Sequence, residues 1–131
     1  MDDLERRVSS WIEMAEYDLE TAKVMLDGGR YLYVGFMCHQ AIEKALKAYI
    51  WRTARVEPAY THSLARLIRD AKLNNALPTE LCDFVDILEP LNVEARYPTD
   101  RDKLMRSMNR HRSLTILDQT QGLFAWIRAK L

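Results

Sequence analysis

The sequence has few of the residues that turn-rich or cross-linked folds require. Its 131 residues include only four glycines, four prolines and two cysteines, which argues against a sandwich or barrel with many tight turns. Cys38 and Cys82 have no second Cys or suitably spaced His nearby, so they encode no zinc module and are interpreted as buried free thiols in a reducing compartment. No run approaches the ~20 apolar residues of a membrane span.

The sequence also lacks an excess of charge of one sign, an apolar leader segment and the common cofactor motifs. The 19 basic and 19 acidic side chains give a formal net charge of zero, which disfavours indiscriminate coating of nucleic acid. The N-terminal MDDLERR has no apolar leader, so the expected location is the cytoplasm. The glycines form neither a P-loop nor a dinucleotide fingerprint, and no His follows a Glu by three residues as a di-iron bundle requires. We therefore expect no metal and no cofactor.

Apolar residues are present at helical spacing along most of the chain, and no stretch alternates with period two. The pattern predicts helices over about residues 3–27, 31–55, 61–73, 79–93 and 101–130. Pro90 predicts a kink or an early end in the fourth helix, and residues 94–100 read as a loop. The expected fold is one all-α domain over residues 1–131, an antiparallel up-and-down bundle of four or five helices.

The second predicted helix is apolar around most of its circumference, which is typical of the central helix of a bundle. One polar stripe interrupts it, formed by His39, Gln40, Glu43, Lys44 and Lys47. Glu43 and Lys47 have the order and spacing of an ion pair on an exposed helix face.

Charge is distributed unevenly along the chain despite the zero total. Residues 79–94 contain five acidic and no basic side chains, whereas residues 96–112 contain six basic and two acidic ones. The basic stretch is a candidate phosphate or RNA site. The alternative is that its arginines pair with the acidic helices.

The run HQAIEKALKA, residues 39–48, resembles the signature of the HEPN domain family (higher eukaryotes and prokaryotes nucleotide-binding). Further matching features in the family's order are Trp11, Ala15, Asp18, Leu19 and Ala22, then Gly29-Arg30-Tyr31, Thr61-His62-Ser63-Leu64 and Ala95-Arg96-Tyr97-Pro98. The resemblance spans nearly the whole chain. It implies a helical bundle, a homodimer, nucleotide or RNA binding, and a small nucleotidyltransferase as partner in a toxin–antitoxin-like pair.

Many members of this family are metal-independent ribonucleases with an Arg-x4–6-His motif, and Arg106 and His111 fit it as catalytic candidates. The His would deprotonate a ribose 2′-OH, and the Arg would stabilise the charged phosphorane. Arg55 and His62 also fit the spacing. An alternative places His111 in the core, because it shares a predicted helix face with neighbouring apolar residues.

The resemblance and the polar stripe together nominate a nucleotide or phosphate site at Gln40, Lys44, Lys47, Arg96 and Tyr97. Arg offers a planar fork for phosphate, and Tyr offers a face on which a base can stack. In a structural alternative, Arg96 pairs with Glu43 and fixes the loop to the second helix. A third hypothesis is a non-catalytic interaction module. The sequence leaves these alternatives open.

Overall fold

A computed structural model describes residues 2–95 and 97–131 of the chain. These residues form seven helices and no β-strand: α1 (Asp3–Asp27), α2 (Tyr31–Ala54), α3 (Leu64–Asp70), α4 (Thr79–Leu88), α5 (Leu91–Glu94), α6 (Pro98–Ser107) and α7 (Arg110–Arg128). The prediction of an all-α bundle is confirmed.

α1 begins and ends where the local sequence supplies caps. The side chain of Asp2 accepts a hydrogen bond from the amide of Glu5 at 2.8 Å, which satisfies one of the free donors of the first turn. At the other end Gly29 has a φ of 74°, a left-handed conformation that glycine adopts without steric cost. The short connection then turns the chain back, and α2 packs along α1.

α2 is the central helix, as its wide apolar face predicts. It contacts each of the other six helices in the described chain, and more than half of its residues are buried. A glycine permits one of these contacts, because a Cβ added at Gly35 would lie 2.7 Å from Cδ1 of Leu91 on α5. The polar stripe of α2 is therefore largely enclosed by neighbouring helices.

In the middle of the chain, one predicted boundary is confirmed and another is wrong. α4 ends at Leu88, and α5 begins after Pro90, as the interior proline predicts. The sequence predicts Thr61 as the N-cap of the short third helix, but the helix begins later. Its N-cap is Ser63, whose side chain accepts from the amide of Arg66 at 3.2 Å. Thr and Ser both favour this position, so the sequence pattern does not choose between them.

The prediction of one last helix over residues 101–130 is also wrong. Met108 and Asn109 are extended and separate α6 from α7, and the Asn109 side chain caps α7 by accepting from the amide of Arg112 at 2.8 Å. α6 also begins earlier than expected, with Pro98 in its first turn, a position that proline favours. Part of the predicted loop 94–100 is therefore helical.

The break changes which residues of the last segment are buried. After it, the buried residues are Ser113, Ile116, Leu117, Thr120, Leu123, Phe124 and Ile127. His111 is exposed and Leu114 is 39% exposed, so the interpretation of His111 as a core residue is wrong. The histidine that does lie in the core is His39.

Cys38 is a buried residue of α2, and its side chain lies near Thr120 of α7. Burial raises the pKa of its thiol to about 12, against a smaller opposing effect of the Thr120 hydroxyl. Cys82 is half-buried, and neither cysteine forms a disulfide. None of the helices within residues 2–95 and 97–131 combines the length and the hydropathy that a membrane span requires.

Candidate functional site

The three predicted nucleotide-binding residues on α2 point to different neighbours. The Gln40 amide donates to Oδ1 of Asn92 at 3.3 Å, and the Lys44 ammonium donates to Oδ2 of Asp18 at 2.6 Å. Both contacts tie α2 to another helix. The structure does not bring Gln40, Lys44 and Lys47 together on one open groove.

The loop residues predicted for the same site are only partly described. Tyr97 is the N-cap residue of α6, and its side chain is 58% exposed. Its ring is therefore available to a ligand. Arg96 lies outside the described residues, and the prediction that it binds phosphate or pairs with Glu43 stays untested.

A buried carboxylate, Glu43, organises the polar stripe of α2. Its side chain is only 5% exposed, with Oε2 3.2 Å from the Lys47 ammonium and Oε1 2.9 Å from Nδ1 of His62. The predicted Glu43–Lys47 pair is present, but it is buried instead of lying on an exposed face. Both carboxylate oxygens of Glu43 therefore have a partner, and the contact with Nδ1 orients the half-exposed imidazole of His62.

His39 lies behind this pair and is completely buried. Its Nδ1 is 4.0 Å from Oε1 of Glu43, and its Nε2 is 4.0 Å from Oε1 of Glu89. Both ring nitrogens lack a hydrogen-bond partner among the described residues, which is uncommon for a buried polar group. We name the group formed by His39, Glu43, Lys47, His62 and Glu89 the polar seam.

Glu89 closes the polar seam against the start of α3. Its two carboxylate oxygens accept from the amides of Leu64 and Ala65, each at 2.9 Å. Partial burial acts to raise the pKa of Glu89, but the nearby His39 imidazole and the two amide donors outweigh it, and the pKa is lowered. Glu89 is therefore ionised at neutral pH and acts as a cap on α3.

We expect replacement of Glu89 with alanine to lower the free energy of unfolding by about 1–2 kcal/mol at neutral pH, as loss of a helix cap does. Because its pKa is lowered in the folded protein, this contribution is present above the ordinary carboxyl pKa and is lost as pH falls through the folded value. Urea unfolding from about pH 7 to about pH 3 measures both effects. Asp83→Ala, an exposed change on α4, is the control. A Glu89→Ala deficit that does not shrink in acid would contradict the assignment.

The cleft beside the polar seam is acidic. Its volume is about 660 Å³, and its lining includes His62, Asp86, Glu89, Asn92 and Val93. No described lysine or arginine lines it, so a phosphate group would meet two carboxylates there and no described cation. Within the described residues, no cluster of three or more histidine, cysteine or acidic side chains is placed to hold a metal ion.

Positive charge is concentrated instead where α6 ends and α7 begins. Arg106 lies near the end of α6, and Arg110, His111 and Arg112 form the first turn of α7. All of these side chains are exposed. The extended Met108–Asn109 link separates Arg106 from His111, so the two catalytic candidates lie on different helices.

The basic side chains of this junction are available to a ligand. We name Arg101, Lys103, Arg106, Arg110, His111 and Arg112 the basic junction. Among the described side chains, no ion pair joins any of these six residues to a carboxylate. The N-terminus of α7 adds the positive end of a helix dipole at the same place. Salt bridging to the acidic helices, the alternative interpretation, has no support among the described ion pairs.

The family model for the HEPN domain matches residues 8–130 of the chain. The chain is a member of the HEPN domain family. Its structure is similar to that of TT1696 from Thermus thermophilus, with 29% identity, a TM-score of 0.81, and coverage of 95% of this chain and 98% of that one. It is also similar to ST0689, an archaeal HEPN homologue, with 21% identity, a TM-score of 0.72, and coverage of 94% and 96%. No curated protein matches the chain.

The main feature of this HEPN domain that sequence analysis missed is the contact of Glu43 with His62. The two residues are 19 positions apart and lie on different elements, so helical spacing gives no sign of the contact. A signal did exist, because the family signature includes Glu43 and the matching Thr61–Leu64 segment includes His62. From the sequence, however, Glu43 is explained by its spacing from Lys47 and His62 by its spacing from Arg55, so neither residue points to the other.

Proposed function

We propose that this HEPN-domain protein binds single-stranded RNA or nucleotides through the basic junction. The observation that carries the proposal is the set of exposed cations without carboxylate partners among the described side chains, on a chain of zero net charge. An unpaired arginine binds phosphate without first breaking an ion pair, and its planar fork matches phosphate oxygens. Tyr97 at the start of α6 offers an exposed ring for base stacking.

Fluorescence anisotropy with a labelled single-stranded RNA of about 12 nucleotides tests this proposal. We expect binding that weakens steeply as salt is raised, because each phosphate contact releases bound counterions. Duplex DNA of the same length serves as a comparison. Absence of RNA binding at low salt would leave the interaction-module hypothesis, in which the bundle only presents a surface to a partner.

The proposed biological setting is a pair with a small nucleotidyltransferase, of the toxin–antitoxin kind. This proposal comes from family membership and from no contact in the chain. Co-expression with a small nucleotidyltransferase encoded beside its gene, followed by gel filtration, tests it. Co-elution of the two proteins is the expected result, and separate elution contradicts a stable pair.

A second candidate function is metal-independent ribonuclease activity with Arg106 and His111. The observation that favours it is the exposure of His111 within the basic junction, where a substrate 2′-OH would have access to the imidazole. Active members commonly have Asn or Asp directly after the Arg and Tyr two residues after the His. In this chain those positions are Ser107 and Ser113. Cleavage of end-labelled RNA in EDTA that His111→Ala abolishes would support the activity, whereas cleavage unchanged in that variant would contradict this site.

We also propose that the protein is a homodimer, and an exposed line on α1 supports this. Met14, Tyr17, Thr21 and Val24 follow heptad-like spacing, and their exposed members include Tyr17 at 64% and Val24 at 63%. Light scattering should give about twice the chain mass of 15.3 kDa, and Tyr17→Glu should reduce it to the monomer value. A Val56→Glu control, exposed elsewhere, should stay dimeric. A monomeric native protein would contradict the proposal.

A further inference from the structure

A groove of about 470 Å³ lies at the C-terminal end of α2, where α1 meets the connection between α2 and α3. Its lining includes Arg7, Trp11, Lys47, Trp51 and Tyr60. We name it the aromatic groove. It shares no residue with the basic junction, and its ring-rich lining is different in character from the acidic cleft beside the polar seam.

Cations already lie on the faces of both indoles. The guanidinium of Arg7 is 4.7 Å from the ring centroid of Trp51, and the ammonium of Lys47 is 5.5 Å from that of Trp11. Lys47 is also paired with the buried Glu43, whereas Arg7 is exposed and has no carboxylate partner among the described side chains. Arg7 can therefore accept a phosphate without loss of an existing ion pair.

Tyr60 completes the groove from the connection between α2 and α3. Its side chain is fully exposed, at 101% of the reference area, so it contributes nothing to the core. A ring in this setting is available to stack on a flat ligand group. An exposed ring such as Tyr60 beside an arginine without a carboxylate partner is a recurring combination on surfaces that bind single-stranded nucleic acid.

We propose that the aromatic groove is a second RNA subsite, which stacks one base on Tyr60 and holds the adjacent phosphate with Arg7, whose guanidinium already lies over the Trp51 ring. The proposal rests on the proposed RNA binding for its ligand, but on different residues for its evidence. Glu57 also lines the groove, and its charge opposes the bound phosphate. The groove would therefore contribute base contacts, with the basic junction providing most of the phosphate contacts.

RNA anisotropy with groove variants tests the proposal. Tyr60→Ala should weaken binding of a single-stranded oligouridine roughly tenfold, as loss of one stacked base does, and Tyr60→Phe should restore it. Arg7→Gln should weaken binding and also reduce its salt dependence. Val56→Ala, an exposed change in the same connection but outside the groove, should bind like the native protein. Since Tyr60 is fully exposed, its replacement leaves the fold intact.

A second measurement separates RNA from a peptide ligand. Glu57→Gln should strengthen RNA binding, because it removes a negative charge near the phosphate. If Glu57→Gln instead binds a basic proline-rich peptide more weakly than the native protein does, the ligand of the groove is a protein and the proposal is overturned. In a Trp126→Phe background, RNA should quench the emission of the two remaining tryptophans, both of which line the groove.

The outcomes distinguish this subsite from the basic junction. If Tyr60→Ala binds like the native protein while basic-junction variants lose affinity, the aromatic groove is not an RNA subsite and the proposed function stands. If the native protein binds no RNA, both proposals fail. If Tyr60→Ala and basic-junction variants each lose affinity, both surfaces contact RNA.

Discussion

Replacement of Glu43 with alanine is expected to lower the free energy of unfolding by about 3–5 kcal/mol, the usual cost of breaking a buried ion pair. The carboxylate is almost fully buried, with Lys47 at 3.2 Å and His62 at 2.9 Å. Its removal leaves the Lys47 ammonium, which is itself buried, without its opposite charge. Urea unfolding followed by circular dichroism measures the loss.

A matched pair of variants shows whether the effect comes from the stranded charge. Glu13→Ala removes an exposed carboxylate from α1 and should change stability by less than about 0.5 kcal/mol. A double variant, Glu43→Leu with Lys47→Met, removes both charges and should recover much of the loss, because an apolar pair of similar volume avoids the desolvation cost. A Glu43→Ala loss below about 1 kcal/mol would show that Glu43 is not the organising group of the polar seam.

The double variant Arg106→Ala with Arg110→Ala is expected to weaken RNA binding about a hundredfold at low salt. Each side chain is proposed to make one charge-assisted contact with phosphate, and two such contacts together contribute about 3 kcal/mol. The salt dependence should also decrease, because two fewer phosphates are neutralised. Both arginines are exposed and lack ion pairs among the described side chains, so the fold should be unaffected.

The control for this variant removes the same charge from another surface. Arg66→Ala with Arg69→Ala changes two exposed arginines on α3 and leaves the basic junction intact. If both double variants weaken binding equally, RNA responds only to net charge, and the basic junction has no special role. A loss specific to Arg106 and Arg110 supports the junction as the contact surface.

The long helices could be predicted because their signals are local. Asp2 and Gly29 mark the ends of α1, and Pro90 separates α4 from α5. The break at Met108–Asn109 could not be predicted from periodicity, since apolar residues continue at near-helical spacing across it. In the sequence, nothing distinguishes Asn109 from the other residues of the helical pattern. In the structure its side chain caps α7, and the helix that starts there does not bury His111.

The candidate site was less predictable because its contacts join distant parts of the chain. Lys44 and Lys47 read as ligand-binding cations, but Asp18 and Glu43 occupy them inside the bundle. Glu43, predicted to lie on an exposed helix face, is buried and contacts His62. The cations of the basic junction were visible as a charge run, whereas their lack of carboxylate partners among the described side chains depends on how the helices pack.

The most direct test of RNA binding at the basic junction is an amide NMR titration of the native protein with single-stranded RNA. We expect the largest shifts to fall on residues 101–112, with a second group around Tyr60 if the aromatic groove also binds. Residues along the acidic helix α4 should stay unchanged. Shifts confined to α4 and the cleft beside the polar seam, or no shifts at all, would contradict the assignment of the basic junction as the RNA-binding surface.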